Sequence, residues 1–276
     1  MLAGDFVKGQ GLGNDYIVVD GARFGIALTP ERVRLLCHRN LGLGGDGVLE
    51  IVKRADRFSA RIWNPDGSEA ERSGNGLRIA AKFLSDHGYT AESSFVIETM
   101  AGPVAAEVYR RAGRVHAVRL EMGRATIDRA KRSLEVEQRK LDVTVVSVGN
   151  PHCVIFGEPL TRERLFSLGP LVERHPAFPD RVNVQLAATE SRHRARALVW
   201  ERGAGHTLAS GTSACAVATA CFDRGMVDGT VTVLMEGGQL EVEVGQDLNL
   251  IMTGPVEEVF EGTLSPELRQ RLVEMQ

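Results

Sequence analysis

Two short motifs place a serine and a glycine immediately before an apolar run with helical spacing. Ser73-Gly-Asn-Gly precedes one run, and Ser210-Gly-Thr-Ser precedes the other. The first turn of a helix carries unpaired backbone N–H groups and a partial positive charge, and glycine lets an anion approach closely. Two such helix ends would bind a small carboxylate, with Ser73 and Ser210 on its two sides. The simpler alternative is that each serine is only an N-cap.

Other polar residues suit the remaining groups of an amino acid. A buried Arg202 fork would match a carboxylate, and the neighbouring Glu201 would match an ammonium group. Four asparagines would add neutral polar contacts, although each of them also suits a turn. These are Asn14, Asn64, Asn150 and Asn183. The set favours a small-molecule amino acid as the ligand.

The usual signatures of nucleotide and metal chemistry are missing from the sequence. Gly42-Leu-Gly-Gly-Asp-Gly47 has the glycine spacing of a dinucleotide loop, but a helical pattern precedes it and a strand follows, which is the reverse order. The chain has no Walker-type phosphate loop, and its seven histidines do not cluster. We therefore expect neither NAD nor a catalytic metal.

The four cysteines are predicted to be reduced and buried. Cys37, Cys153, Cys215 and Cys221 form no Cys-x-x-Cys pair and have no zinc-like spacing with histidine. Cys215 lies five residues after Ser210, inside an apolar run. That position favours a core residue over a displaced catalytic thiol.

The same motifs occur in the same order in both halves of the chain. Asn14 and Asn150 each follow a glycine, precede an alternating apolar run and lie 136 positions apart. Trp63 and Trp200 each end a strand pattern and precede the serine of their half by ten residues. An internal duplication explains this order. We expect two halves of one fold that face each other across a pseudo-twofold axis.

The secondary-structure pattern is that of an α+β protein. Alternating apolar residues predict strands at 47–52, 60–63, 94–98, 115–120, 144–148, 197–200 and 231–244. Helices are predicted after each Ser-Gly motif and at 30–38, 162–168 and 266–275. The almost wholly apolar run 214–222 should be buried on most sides. The expected fold is two pseudo-symmetric domains, each a curved β-sheet or barrel wrapped around a central apolar helix.

Composition limits the possible partners. The chain has 276 residues, of which 43% are hydrophobic and 5% aromatic, and its net charge is −3. These values are typical of a folded globular protein, and they make a nucleic acid or a membrane an unexpected partner. With no signal-peptide pattern and no apolar run long enough to span a bilayer, we expect a cytoplasmic protein.

Taken together, these motifs make the sequence resemble the diaminopimelate epimerase family. The matching motifs occur in the family's order and cover nearly the whole chain. They are Lys8-Gly-Gln-Gly-Leu-Gly-Asn14-Asp-Tyr, Gly42-Leu-Gly-Gly-Asp-Gly-Val, Asn64-Pro-Asp-Gly-Ser-Glu-Ala-Glu-Arg-Ser-Gly-Asn75-Gly-Leu-Arg78, Gly149-Asn150-Pro-His152, Arg181-Val-Asn183-Val and Glu201-Arg202-Gly-Ala-Gly.

The resemblance implies a reaction. Members of the family interconvert LL- and meso-diaminopimelate, in lysine and peptidoglycan biosynthesis, without pyridoxal phosphate, metal or nucleotide. Two cysteines flank the substrate Cα; one removes the proton as a thiolate, and the other donates a proton to the opposite face. Members are commonly homodimers.

The resemblance also implies a domain arrangement. Two similar domains hold the active site between them, and the last residues return to the first domain. We therefore place an N-terminal repeat domain at 1–118 plus 264–276 and a C-terminal repeat domain at 119–263. The highly charged stretch 124–142 is the expected crossing region.

The family's functional residues can be placed on this chain one by one. The resemblance implies that the substrate is bound by Asn14, Asn64, Asn150, Asn183, Glu201 and Arg202. The backbone amides at Gly74, Asn75, Gly211 and Thr212 would hold the reacting carboxylate. This agrees with the inference of two helix ends drawn from the motifs themselves.

The sequence departs from the family at the catalytic positions. Ser73 and Ser210 stand where cysteines are expected, and a serine hydroxyl is a far poorer base than a thiolate unless another group activates it. His206, where the family often has Glu or an apolar residue, lies four residues before Ser210 and is a possible accessory base. The alternative for His206 is an exposed loop histidine. Gly47 stands where some members carry a side chain, which predicts a larger distal pocket.

Three explanations fit these departures. The chain is a Cys-to-Ser variant of an ordinary epimerase, a divergent Ser/Ser homologue, or an inactive amino-acid-binding protein. A divergent homologue would racemise another amino acid or catalyse an elimination, for which one base suffices. Ser213 also differs from the usual pattern, which favours natural divergence. Epimerisation of diaminopimelate by two-base proton transfer is the leading hypothesis, because the substrate-binding positions are intact.

Overall fold

A computed structural model describes residues 4–54 and 57–275. The described residues form five helices and nineteen strands. In chain order these are β1 (Asp5–Gly11), β2 (Asn14–Asp20), α1 (Pro30–Cys37), β3 (Val48–Arg54), β4 (Arg57–Trp63), β5 (Glu69–Ala70), α2 (Gly74–Asp86), β6 (Ser94–Thr99), β7 (Gly102–Arg111), β8 (Arg114–Arg124), β9 (Thr126–Asp128), β10 (Ser133–Val136), β11 (Arg139–Ser147), β12 (Pro151–Phe156), α3 (Arg162–Glu173), β13 (Asn183–Ser191), β14 (Arg194–Glu201), β15 (Gly205–Thr207), α4 (Gly211–Asp223), β16 (Thr230–Met235), β17 (Gly238–Val244), β18 (Asn249–Pro255), β19 (Glu257–Thr263) and α5 (Pro266–Glu274).

The chain divides into two compact units. Unit 1 comprises Met1–Leu120 and Pro255–Gln276, and unit 2 comprises Glu121–Gly254. The second boundary lies earlier than the one expected between 263 and 264, because β19 pairs antiparallel with β1 and so belongs to unit 1. The charged stretch 124–142 is not the crossing region. It forms β9, β10 and the start of β11, and both β9 and β10 pair antiparallel with β11 inside unit 2.

The strand pairings confirm the internal duplication. In unit 1, β2 pairs parallel with β3, β3 antiparallel with β4, and β4 parallel with β6. In unit 2, β12 pairs parallel with β13, β13 antiparallel with β14, and β14 parallel with β16. One helix, α2 or α4, follows the short strand β5 or β15 in each unit. The predicted α+β fold with two related domains is therefore confirmed.

A left-handed glycine lies just before the corresponding strand in each unit. Gly13 has φ 84° and Gly149 has φ 91°, a backbone conformation that residues with a Cβ rarely adopt. Each glycine directly precedes an asparagine, Asn14 or Asn150, at the turn into β2 or β12. The same turn chemistry therefore positions the same residue type in both copies.

Each unit packs its sheet around one buried helix. Every residue of α2 from Gly74 to Leu84 is buried, and so is every residue of α4 from Gly211 to Cys221. A helix that is apolar on most sides must be enclosed by other elements, as the sequence predicts for α4. Burial of these helices fixes where their first turns lie. No helix in the described residues is long and apolar enough to cross a membrane.

Two predicted elements differ in extent from the observed ones. The pattern at 231–244 is a hairpin, β16 and β17, rather than one strand. Helix α3 continues past the predicted end at 168 and includes Pro170. A Cβ at Gly169 would lie 2.6 Å from the Trp200 ring, so this glycine allows close packing of helix and strand rather than ending the helix.

The fully buried Leu77 of α2 provides a test of this packing. We expect Leu77→Ala to lower the free energy of unfolding by about 2–5 kcal/mol, since it removes buried apolar contacts and leaves a cavity. Urea denaturation followed by circular dichroism measures the loss. The control is Leu41→Ala, at a side chain that is 57% exposed. Equal losses in the two variants would contradict the central position of α2.

Candidate active site

Ser73 caps the buried helix of unit 1. Its Oγ accepts a hydrogen bond from the Gly76 amide at 3.0 Å, and its own backbone is extended. The amides of Gly74 and Asn75 lie in the first turn, where the helix itself supplies no acceptor. Ser73 is therefore an N-cap, and its role in proton transfer stays a prediction. The same geometry also places its hydroxyl beside the positive end of the helix.

Tyr16 reaches the same hydroxyl from β2. Its phenol donates to Ser73 Oγ at 3.2 Å, and the tyrosine is only 6% exposed. A Cβ at Gly47 would lie 2.5 Å from the Tyr16 ring and 2.4 Å from the backbone oxygen of Trp63. The space beside Gly47 is thus filled from within unit 1, and the expected enlargement of a pocket there is not seen.

A network of side-chain hydrogen bonds connects the core of unit 1 with the turn between β1 and β2. Arg78 is fully buried and donates to Asn75 Oδ1 at 2.8 Å and to the Pro255 carbonyl at 3.1 Å. Asn75 Nδ2 donates to Asn14 Oδ1 at 3.2 Å, and Asn14 Nδ2 donates to Asp46 Oδ2 at 3.0 Å. The network therefore fixes the orientation of both amides, Asn14 and Asn75, before any ligand binds.

Charged groups hold the outer end of this network. Arg39 bonds both Asp46, at 2.8 Å, and Asp15, at 3.1 Å, while Lys8 lies 2.5 Å from Asp15. Burial raises the pKa of Asp46, and the negative charge of Asp15 adds to this effect. Burial would also raise the pKa of Asp15, but hydrogen bonds from Lys8 and Arg39 hold it below its ordinary value. Asp46 is thus the carboxyl that loses its charge first as the pH falls.

Asn64 belongs to a tight turn after β4. Its backbone N–H and its Nδ2 donate to the Ser68 backbone and hydroxyl oxygens, at 2.8 and 3.0 Å. Within the described residues it makes no hydrogen bond to Ser73, Asn14 or Asn75. The turn role that the sequence left open is observed, and a substrate role for Asn64 stays a prediction.

Ser210 caps the buried helix of unit 2. The Ser213 amide donates to its Oγ at 3.5 Å, a longer contact than the corresponding one in unit 1. Ser210 is 5% exposed, and Gly211 and Thr212, the first residues of α4, are buried behind it. Both units therefore present a serine hydroxyl beside the first amides of an enclosed helix.

A buried histidine orients the asparagine of unit 2. Gln185 Nε2 lies 3.1 Å from His152 Nδ1 and 2.9 Å from the Ser213 hydroxyl. His152 Nδ1 is therefore the acceptor, and Nε2–H donates to Asn150 Oδ1 at 2.9 Å. Burial lowers the pKa of His152 to about 3, so the ring is neutral. Asn150 Nδ2 is left facing Thr212 Oγ1 at 3.5 Å.

The predicted Glu201 is the last residue of β14, and Arg202 begins the loop that follows it. Asn183 accepts a hydrogen bond from the Arg202 amide at 3.0 Å and donates to the Pro151 carbonyl at 3.0 Å. Arg202 itself is exposed, and its guanidinium donates to a backbone oxygen at 3.1 Å. The buried arginine fork that we expected is therefore not observed, whereas Glu201 is half-buried.

Glu173 anchors the same loop from α3. It accepts hydrogen bonds from the Trp200 indole at 2.8 Å and from the Gly203 amide at 3.0 Å, and Arg181 lies 3.3 Å away. Burial would raise the pKa of Glu173, but these hydrogen bonds and the arginine hold it below its ordinary value. The charged form is thus the one that positions the loop.

His206 lies on the short strand β15, not in a loop. Its Nε2 is 2.5 Å from Glu236 Oε2, and Arg162 bonds the other oxygen of Glu236 at 2.6 Å. Burial would raise the pKa of Glu236, but the hydrogen bonds from His206 and Arg162 hold it low. No hydrogen bond joins His206 and Ser210 in the described part of the chain. Activation of Ser210 by His206 stays a prediction.

The cysteines do not replace the missing thiols. All four are buried, as predicted, and burial raises the pKa of Cys37, Cys153 and Cys221 to about 12. Cys215 is fully buried inside α4. The three thiols with raised pKa values stay protonated and unreactive.

One cluster in the described residues has the composition of a metal site. The ligand atoms of His87, Glu258 and Glu261 lie within 4.8 Å of one another, and His87 Nε2 is 3.0 Å from Glu258 Oε2. None of these residues belongs to the predicted site.

Sequence reasoning missed the groups that orient the site. Tyr16, Asp46, Arg78, Glu173 and Gln185 were not among the candidate residues. Two of them do carry a signal, since Arg78 and Gln185 are polar residues within runs that are otherwise largely apolar. A buried polar group requires a partner, and that requirement marks such positions as organised.

The fold is shared with known isomerases. A hydroxyproline epimerase from Agrobacterium vitis superposes with a TM-score of 0.72 at 16% identity, covering 96% of this chain and 93% of that one. A methylitaconate-delta-isomerase gives a TM-score of 0.65 at 13% identity, covering 94% of both chains. At these identities the likeness establishes the fold alone.

Sequence comparison identifies the family. The model of the family described as diaminopimelate epimerase matches residues 6–127 and 144–259. "Diaminopimelate epimerase 2" of Nostoc sp. is 39% identical over 277 residues, covering 95% of this chain and 96% of the relative. The diaminopimelate epimerase of Synechococcus elongatus is 41% identical, covering 94% of this chain and 97% of the relative. The chain belongs to the diaminopimelate epimerase family.

The Glu236 contacts predict a pH-dependent contribution to stability. Since the folded pKa lies below the ordinary value of 4.5, the contribution is present above that pH and is lost as the pH falls through the folded pKa. We expect Glu236→Gln to cost about 1 kcal/mol at neutral pH, with the difference from the native chain shrinking under acid. Urea denaturation across this pH range measures it. Exposed Glu121→Gln is the control, and a pH-independent difference would contradict the prediction.

Proposed function

We propose that this chain is a cofactor-independent epimerase that interconverts LL- and meso-diaminopimelate. The observation that carries the proposal is the matched pair of buried helices, each with a serine hydroxyl at its first turn and an asparagine oriented nearby. Membership of the family supports the substrate. On the same ground we infer a role in lysine biosynthesis and a homodimeric state.

The first task of the site is to hold the reacting carboxylate. The amides of Gly74 and Asn75 in unit 1, and those of Gly211 and Thr212 in unit 2, are the groups we assign to it. Hydrogen bonds and helix dipoles stabilise the charge that moves onto the carboxylate when the Cα proton leaves. Because both helices are enclosed by their sheets, these donors need little reorganisation during the reaction.

The second task is to move a proton at Cα. Ser73 and Ser210 act on opposite faces, so that one takes the proton while the other supplies one and the configuration inverts. An aliphatic hydroxyl is a weak base, and each 1.36 kcal/mol added to the barrier slows the reaction about tenfold. We therefore expect this chain to be a slow epimerase compared with a thiol-containing site.

The remaining groups recognise the rest of the substrate. Asn14 and Asn150 enter the site with fixed amides, because Asp46 and His152 hold them. Glu201 suits an ammonium group and Arg202 a carboxylate. We assign these two asparagines, Glu201 and Arg202, together with Asn64 and Asn183, to binding of the amino acid rather than to proton transfer.

Proton NMR of LL-diaminopimelate in D2O at neutral pH tests the proposal. We expect the Cα–H signal to fade and the meso form to appear. Exchange without meso product would indicate a single competent base and contradict the two-base reaction. Absence of exchange, with binding retained, would indicate a protein that holds the amino acid without turning it over.

The same assay identifies the groups responsible. We expect the double variant Ser73→Cys with Ser210→Cys to be much faster than the native chain, because it restores two acidic thiols at helix N-termini. The variant His206→Ala tests whether His206 activates Ser210. If it does, exchange should slow by about 10²–10⁴-fold, the typical cost of losing a general base. A smaller effect, with binding unchanged, would restrict His206 to its contact with Glu236.

A further inference from the structure

In unit 1 the phenol of Tyr16 is in direct hydrogen-bond contact with the hydroxyl of Ser73. Tyr16 is the donor and Ser73 Oγ the acceptor, at 3.2 Å, while the Gly76 amide donates to the same oxygen at 3.0 Å. Two donors converge on one hydroxyl oxygen, which leaves the serine's own proton free to point away from them. Both donors favour a build-up of negative charge on that oxygen.

The position of the phenol is set by its surroundings. The tyrosine is almost fully buried on β2, and the Gly47 Cα lies close enough that an added Cβ would overlap the ring at 2.5 Å. The same Cβ would overlap the Trp63 carbonyl at 2.4 Å. Only a glycine at position 47 therefore leaves the ring where its hydroxyl reaches Ser73.

Unit 2 lacks the same arrangement. The residue that corresponds to Tyr16, two positions after the asparagine, is His152, and its two ring nitrogens bond Asn150 and Gln185. In the described residues the hydrogen bond received by Ser210 comes from the Ser213 amide at 3.5 Å. The two serines are therefore chemically unequal even though the helices that carry them are related.

A phenol supplies what an aliphatic hydroxyl lacks. A phenol ionises near pH 10 in water, while a serine hydroxyl is a poor base unless a neighbour takes its proton. A phenolate next to Ser73 would accept that proton. Ser73 would then take the Cα proton of a substrate without first ionising to an alkoxide.

We propose that Tyr16 is the proton partner of Ser73, with the serine relaying a proton between the substrate Cα and the phenol. This rests on the proposed function. Once the phenol has released its proton to water, the Ser73 hydroxyl turns to donate to the phenolate. Ser73 Oγ then takes the Cα proton as its own hydroxyl proton passes to Tyr16. The Cα–H and the original Ser73 O–H bonds break, and new O–H bonds form on Ser73 and Tyr16. The electron pair stays on Cα, and the reverse step returns a proton to it.

Deuterium exchange at the Cα of LL- and meso-diaminopimelate tests the relay. The variants are Tyr16→Phe, Ser73→Cys and the two combined. We expect Tyr16→Phe to slow exchange by at least about 100-fold in the native background, the size of a lost acid–base group. In the Ser73→Cys background the loss should be under about tenfold, because a thiol ionises without help from a phenol.

Two controls separate chemistry from structure. Calorimetric affinity for diaminopimelate should stay within about tenfold in Tyr16→Phe, a change of at most about 1.4 kcal/mol. Tyr109→Phe, which removes an exposed phenol that bonds Glu107, should leave exchange unchanged.

Each remaining outcome decides against the relay. Equal losses from Tyr16→Phe in the two backgrounds would assign the phenol a structural role and overturn the proposal. Exchange by Ser73→Cys with none by the native chain would also overturn it, since the phenol then fails to make Ser73 a working base. That second result would leave the proposed substrate intact. Loss of exchange and of binding in every variant would instead reject the proposed function.

Discussion

The enclosed helix is the constraint on which each unit depends. The first amides of any α-helix have no intrahelical acceptor. When the helix is buried on all sides, water is kept away as well, so these amides must be capped by side chains or by a ligand. Ser73 and Ser210 meet part of this requirement through Gly76 and Ser213. The amides of each first turn are thus held rigidly in a low-dielectric setting. Such a site favours a carboxylate over water because its dipoles are already aligned.

The fixed helix ends explain the polar networks around them. In unit 1 the fully buried Arg78 holds Asn75, which in turn holds Asn14. In unit 2 the neutral His152 performs the corresponding task for Asn150. The two networks use different residue types for one purpose, which is to orient an amide next to a capped helix. Duplication has therefore preserved the arrangement of backbone elements while the proton-bearing groups have diverged.

Much of the fold could be predicted from the sequence because the same order of motifs occurs in both halves of the chain. The helical spacing of the apolar residues after Ser73 and the apolar run after Ser210 both predicted the buried helices. Other features depended on partners far away in the chain. The pairing of β19 with β1, the exposure of Arg202 and the bond between His206 and Glu236 are tertiary facts that no local pattern encodes. Tyr16 was passed over because a tyrosine in an apolar strand is also typical of a core residue.

The most direct test is calorimetric binding of LL- and meso-diaminopimelate, because it asks whether the oriented donors hold the ligand independently of turnover. We predict saturable one-to-one binding of at least one isomer, with a dissociation constant of about 1 mM or below, the range in which enzymes commonly bind substrates. L-Lysine, which lacks the second carboxylate, should bind more weakly. The absence of binding by every diaminopimelate isomer at millimolar concentration would contradict the assignment of this ligand.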